Sequence, residues 1–297
     1  MLVETRRMTT TSLPSRLIGS RAVSAIGLGA MPMSIEGRPD EARSIATIHA
    51  ALDAGVTLID TADSYHQFAG EVGHNERLIA RALDTYEGDT TDVLVATKGG
   101  HLRPGDGSWT QDGSARHIIE AAAASREALG VESIGLYQFH RPDPQVAFSE
   151  SVGALVHLLD EGTILMAGLS NVSVDQIEEA MEITDGRIVS VQNQFSPAFR
   201  SSLVELERCA DLGIAFLPYS PLGGIANASA LGGRNTAFQE VADARGVSPQ
   251  QVALAWELSL APVVIPIPGA SRPETIRDSA GAAELQLTEE ELATLSA

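Results

Sequence analysis

The chain of 297 residues contains one lysine, one cysteine and only 4% aromatic residues. The lone cysteine, Cys209, excludes an intramolecular disulfide and any zinc site built on cysteines, and it suits a reducing compartment, so a cytoplasmic protein is expected. Histidine does not make up the deficit. His49, His66, His74, His117 and His157 include no helix-borne pair at the four-residue spacing of zinc motifs, and no metal is expected. Positive charge is scarce too: 20 basic against 39 acidic residues leave a formal charge of −19, which repels nucleic acid and anionic membranes. No apolar run approaches transmembrane length. Residues 1–12 carry Arg6 and Arg7 but lack the apolar centre of a secretory signal; residues 1–14 read as a disordered tail, with Met8 an alternative start, before one domain over 15–297.

What remains suits a large core, with 44% hydrophobic and 20% charged residues. Residues 17–31 read as a short hairpin followed by an apolar strand at 25–29. From there helix and strand alternate. Helices are expected near 40–54, 75–83, 114–129, 148–161, 173–184, 202–212, 236–245 and 248–260, with another from about 273. Strands fall at 56–60, 93–98, 134–140, 164–170, 188–192, 215–219 and 263–266, several of them unbroken apolar runs of the kind buried on both faces of a parallel sheet. Asp40 is placed to cap the first helix and Gly55 to stop it. Eight βα units with no composition break predict an α/β fold, one closed (β/α)8 TIM barrel with a short N-terminal hairpin and extra helices. In such barrels the chemistry sits at the C-terminal ends of the strands.

Those ends carry a pattern. The only lysine, Lys98, closes an apolar strand in a chain whose other 19 of 20 basic residues are arginines. A lysine ammonium is a point charge whose pKa answers to its surroundings, which arginine cannot copy. Asp60 and His140 end the strands on either side of it, and Tyr65 follows Asp60 by a short loop. Taken singly, Asp60 suits a turn cap, His140 a packed core position and Tyr65 loop packing. Their coincidence beside the sole lysine favours proton transfer to a carbonyl. Lys98 would lower the pKa of Tyr65, Asp60 would keep Lys98 charged, and His140 would orient the carbonyl oxygen.

With these residues in place, Asp60-Thr61-Ala62-Asp63-Ser64-Tyr65, Gly73-His74-Asn75-Glu76, Ala96-Thr97-Lys98 and Gln138-Phe139-His140 resemble the aldo-keto reductase family. The likeness continues through Gly168-Leu169-Ser170-Asn171, Val191-Gln192-Asn193, Pro218-Tyr219-Ser220-Pro221-Leu222-Gly223 and Ile267-Pro268-Gly269-Ala270-Ser271. It spans about residues 17–295. The resemblance implies an NADP(H)-dependent oxidoreductase that reduces aldehydes and ketones reversibly, with NAD(H) as the alternative cofactor. Tyr65 would be the general acid, tuned by Lys98 and Asp60, with His140 orienting the substrate. The resemblance further implies that Ser170, Asn171 and Gln192 hold the carboxamide and that Tyr219 covers one nicotinamide face. Ala30, Met31, Asp60, Ser220, Pro221, Leu222 and Gly223 would continue the cofactor site, the loop glycines Gly223, Gly224, Gly232 and Gly233 allowing close backbone approach to a pyrophosphate. Gly269, Ser271, Arg272, Thr275, Asp278 and Ser279 would meet the adenosine, Ser271 and Arg272 holding a 2′-phosphate. Asp278-Ser279 replaces a Glu-Asn pair frequent in the family, and Gly269 and Thr275 stand where some relatives are basic.

On the substrate side, Met33, Tyr65, His140 and Trp109 are the expected walls, Trp109 belonging to a long loop over 99–113 with His101 and Arg103. The chain ends soon after Leu295, so an open pocket without a long C-terminal loop is expected. The motifs look most like bacterial branches of pyridoxal reductases and pyridoxine dehydrogenases, followed by sugar ketoreductases. Two other readings stay open: a non-catalytic NADP-binding regulatory subunit, and a Schiff-base aldolase using Lys98. The expected partner is a small carbonyl or alcohol, and the expected state a monomer or weak homo-oligomer.

Overall fold

A computed structural model describes residues 13–225, 227–228 and 231–297; of the tail expected over 1–14, residues 1–12 lie outside these residues, and Pro14 O accepts from Ala25 N at 2.8 Å. The chain enters as an antiparallel hairpin, β1 (Ser15–Ile18) and β2 (Arg21–Ser24), turned at Gly19 with φ 57°. The barrel strands follow as β3 (Leu28–Gly29), β4 (Leu58–Asp60) and β5 (Leu94–Gly99). A second small hairpin, β6 (His101–Leu102) and β7 (Thr110–Gln111), rises from the end of β5. The barrel resumes with β8 (Leu136–Phe139), β9 (Ala167–Ser170), β10 (Ile188–Gln192) and β11 (Ala215–Phe216). These seven strands are parallel, in the order β11-β10-β9-β8-β5-β4-β3.

The eighth strand differs from expectation. Residues 263–266 form no continuous ladder; instead Phe216 bridges Val264 and Gly29 bridges Gly269, both parallel. Proline explains this. Ile265 and Ile267 donate to Phe216 O and Pro218 O on one side, whereas Pro266 and Pro268 have no N–H for the other and only accept, from Gly27 and Gly29 at 2.9 Å each. Half the bonds to β3 are thereby lost, yet the barrel closes. Closure also requires Gly29 itself: a Cβ there would sit 2.8 Å from Ile267 O.

Helices α1 (Glu41–Asp53), α2 (His74–Asp84), α3 (Ala115–Leu129), α4 (Phe148–Asp160), α5 (Val174–Ile183) and α6 (Leu203–Leu212) alternate with the strands. They are followed by α7 (Leu231–Arg234), α8 (Thr236–Arg245), α9 (Pro249–Leu260), α10 (Pro273–Gly281) and α11 (Glu289–Ser296). Their bounds follow local chemistry. The side chains of Asp40, Ser114, Ser173 and Ser248 accept from the third backbone N–H beyond them, and left-handed Gly130, Gly213 and Gly246 end α3, α6 and α8.

Inside the barrel, Leu58, Leu94, Ala96, Leu136, Ala215, Leu217, Ile265 and Ile267 form one apolar cluster with Ile18 and Val23 of the first hairpin. The hairpin therefore plugs the end where the strands begin. The opposite end is left for polar side chains. Among the described residues no helix is long and apolar enough to cross a membrane.

Candidate active site

Alternation along the strands determines which side chains reach the open end. Residues two apart share a face, so a strand with Leu58 inside carries Asp60 one step higher, Ala96 carries Lys98, Leu136 carries Gln138, and Leu217 is followed by Tyr219. The register places Asp60 opposite Ala96, one step below Lys98. Lys98 is fully buried, and its Nζ donates to Asp60 Oδ1 at 2.6 Å, Thr61 O at 2.7 Å and Tyr65 Oη at 3.3 Å. Gln192 Nε2 donates to the other Asp60 oxygen at 2.7 Å. The His140 ring stands edge-on to Tyr65, with centroids 5.8 Å apart.

The charges follow from burial. Desolvation drives the Lys98 ammonium down from its ordinary pKa, opposed by the Asp60 carboxylate. The Tyr65 phenol moves well up, first through burial and then through Asp60, Tyr219 and Asp63. This differs from the lowering expected beside a lysine. Loss of solvent outweighs the ammonium in the protein alone, so Tyr65 carries its proton at neutral pH. Burial, then Lys98, His101 and Arg141, hold His140 well below the ordinary imidazole range, so it is neutral. His101 is lowered to about 4 by burial and Arg141.

Above these groups opens a cleft of about 570 Å³. Its walls include Met31, Asp60, Tyr65, Trp109, His140, Ser170, Asn171, Gln192, Tyr219, Ser220, Pro221, Leu222 and Gly269. The ends of β9 and β10 are knitted together: Ser170 Oγ donates to Gln192 O at 2.7 Å, and Asn171 Nδ2 donates to Ser170 Oγ and His140 O at 3.0 Å each. Tyr219 Oη donates to Asn171 Oδ1 at 2.8 Å. Asn171 and Ser220 hold left-handed φ values of 59° and 53°, local strain of the kind that gathers at binding sites. The donor set suits a nicotinamide: short amide and hydroxyl groups at two adjacent strand ends match a carboxamide, and the Tyr219 ring offers a flat surface.

Other expected residues lie elsewhere. Met33 is buried in a core cluster with Leu28, Ala30 and Ile48, because the turn after β3 directs it beneath the cleft. Ala30 spends its backbone groups on Asp60 O and Asn75 Nδ2 and does not line the cleft. Gly223 lies behind the wall in a turn closed on Ser220 O, whereas Gly224 lines it. Gly232 is packed against Gln239 and Pro249, far enough into the helical layer that it too is absent from the wall, as is Gly233. Ser271, Arg272, Thr275, Asp278 and Ser279 are also outside the cleft. Ser279 is buried, and Asp278 accepts from Ser248 Oγ at 2.7 Å and Gln251 Nε2 at 2.8 Å, tying α10 to α9. Arg272 is exposed at the N-cap of α10, 4.0 Å from Glu274.

Several wall residues received no role from the sequence, among them Arg141, Pro32, Ile225 and Ile267. For Arg141 the available signal was its place directly after His140 at a strand end. His101 and Arg103, by contrast, belong to the loop already suspected of walling the pocket. Arg103 organises that loop. It donates to His66 O at 2.6 Å, pairs with Glu36 and lies 4.6 Å over the Trp109 ring.

A sequence profile of the Aldo/keto reductase family matches residues 25–297. Pyridoxine 4-dehydrogenase of Escherichia coli is 32% identical over 289 residues, 94% of this chain and 96% of that protein. An uncharacterised oxidoreductase of Schizosaccharomyces pombe is 36% identical over 282 residues, 94% of this chain and 87% of its own. Among solved structures, glycerol dehydrogenase from Gluconobacter oxydans matches with a TM-score of 0.80 at 26% identity, covering 97% of this chain and 94% of that one. An aldo/keto reductase from Klebsiella pneumoniae, solved with NADP and acetate, gives 0.78 at 26% identity over 96% and 94% of the two chains. A closed barrel, a buried Asp60–Lys98–Tyr65 constellation at its open end and a profile match across both lead to one conclusion: the chain belongs to the aldo/keto reductase family.

Proposed function

We propose that this chain reduces small aldehydes and ketones to alcohols, reversibly, with NADP(H), and that Tyr65 is the proton donor. The observation that carries this reading is Lys98 Nζ held 2.6 Å from Asp60 and 3.3 Å from Tyr65 Oη at the base of the cleft. When bound, the cofactor supplies a hydride to the carbonyl carbon. Tyr65, protonated because it is buried, gives its proton to the carbonyl oxygen as negative charge develops there. Lys98 then stabilises the phenolate left behind, which is where an adjacent ammonium acts most strongly. Neutral His140 retains one N–H with which to orient the oxygen. Ser170, Asn171 and Gln192 would hold the carboxamide, and Tyr219 would cover one face of its ring.

NADP(H) is supported by the Klebsiella pneumoniae relatives, whose structures were solved with NADP and with NADPH. Pyridoxal heads the substrate panel because of the Escherichia coli pyridoxine 4-dehydrogenase relative. The test is NADPH oxidation with pyridoxal, aromatic aldehydes and keto-sugars, repeated with Tyr65→Phe. That variant is expected to lose roughly 10²–10⁴ in turnover while NADPH still quenches its tryptophan fluorescence. Full turnover in Tyr65→Phe would remove Tyr65 from the role. Tight NADPH binding without turnover of any carbonyl by the unmodified protein would favour a regulatory subunit instead.

A further inference from the structure

Arg141 occupies a position that carbonyl reduction alone does not explain. It lines the cleft beside His140, together with His101, Trp109 and Gln111. Its Nη2 donates to Asn171 Oδ1 at 3.0 Å, the oxygen that Tyr219 also approaches. Its charge reaches both imidazoles and is one reason they stay neutral. Among the described residues it forms no ion pair. Arg103 and Arg38 differ in this respect: Arg103 is matched by Glu36, and Arg38 by Glu71 at 2.9 Å. Asp60 is the one carboxylate lining the cleft among the described residues, and Lys98 already compensates it at 2.6 Å.

An uncompensated guanidinium therefore faces the reacting end of the cleft in a protein of net charge −19. Guanidinium is a planar fork of five donors matched to carboxylate oxygens, and the contacts of Arg141 to Asn171 and Tyr219 leave further donors for a ligand. Nearby, His101 and Trp109 pack ring to ring with centroids 4.9 Å apart and planes tilted by 30°, so aromatic side chains border the cleft beside Arg141 and can pack against a planar molecule.

We propose that Arg141 binds an anionic group on the substrate, so that the cleft selects planar carbonyl compounds bearing a carboxylate over their neutral counterparts. The proposal rests on the reductase reading and names the substrate class within it.

The test compares kcat/KM for 4-carboxybenzaldehyde and its neutral methyl ester, in the unmodified protein and in Arg141→Gln and Arg141→Lys. The acid is expected to be favoured by roughly 10- to 100-fold, equivalent to about 1.4–2.8 kcal/mol. The ratio should collapse toward one in Arg141→Gln and fall partway in Arg141→Lys, which keeps the charge but not the fork. A second readout needs no turnover: benzoate titrated against the NADP-saturated protein, followed by tryptophan fluorescence, should bind more weakly to Arg141→Gln by a similar factor. Equal kcat/KM for the two aldehydes would overturn the proposal while leaving the reductase reading intact. So would an unchanged ratio in Arg141→Gln accompanied by weaker NADPH binding, which would make Arg141 a positioning residue for Asn171. Arg141-dependent benzoate binding without oxidation of NADPH by either aldehyde would support the anion site and, where pyridoxal and the keto-sugars are also inert, sink the reductase reading.

Discussion

Replacing Lys98 by methionine tests the centre of the site. The change keeps an unbranched chain out to Cε and removes Nζ with its three hydrogen bonds to Asp60, Thr61 and Tyr65. Asp60 is left buried with a single close donor, Gln192 Nε2 at 2.7 Å, and a weak one, Gln138 Nε2 at 3.5 Å. Removing one partner of a buried ion pair costs about 3–5 kcal/mol, because the other charge stays behind without compensation. Asp60→Asn is expected to cost a similar amount by stranding the ammonium. The double variant leaves no stranded charge, so it should fall short of the sum of the two single costs by about 2–3 kcal/mol, the upper range for residues in contact. Urea unfolding monitored by far-ultraviolet circular dichroism measures all four corners of the cycle. Single variants that lose under 1 kcal/mol, or costs that add within about 0.5 kcal/mol, would refute the claim that this pair is energetically coupled.

Glu257 lies fully buried in α9 with neither carboxyl oxygen hydrogen-bonded, and burial alone pushes its pKa well above the ordinary value of 4.5. The folded chain then binds more protons than the unfolded one between those two values, so stability falls as pH rises through that window. Glu257→Leu should gain about 1–3 kcal/mol at neutral pH and less near pH 4; a gain in urea midpoint that does not grow with pH would contradict this. Arg103→Ala should free the β6–β7 hairpin from Glu36 and His66 and strip the guanidinium from the face of its Trp109 ring. The lost hydrogen bonding and ring contact are worth about 1–2 kcal/mol, so KM for an aromatic aldehyde should rise by roughly 5- to 30-fold while NADPH affinity holds. Unchanged KM, together with unchanged protease cleavage across residues 103–109, would show that the loop is held by other contacts.

Read alone, the sequence determined the architecture and the residues gathered at its open end. Helix ends were legible because caps are local: Asp40, Ser114 and Ser248 each act on an N–H three residues away. Strand ends were legible because an apolar run closed by Asp60, Lys98 or His140 announces a change from the barrel core to its mouth. The tertiary structure alone decided the rest. Packing against the core removed Met33 from the cleft, and alternate prolines reduced the eighth strand to bridges. Burial, a property of the whole barrel, raised Tyr65 where its lysine neighbour alone would lower it. Arg141 became informative only once the fold showed which carboxylates it fails to meet. Local pattern reports what a residue does to its neighbours three or four places along the chain. Charge balance, desolvation and access depend on residues such as Asp60 and Gln192, 132 positions apart, that meet only when the sheet closes.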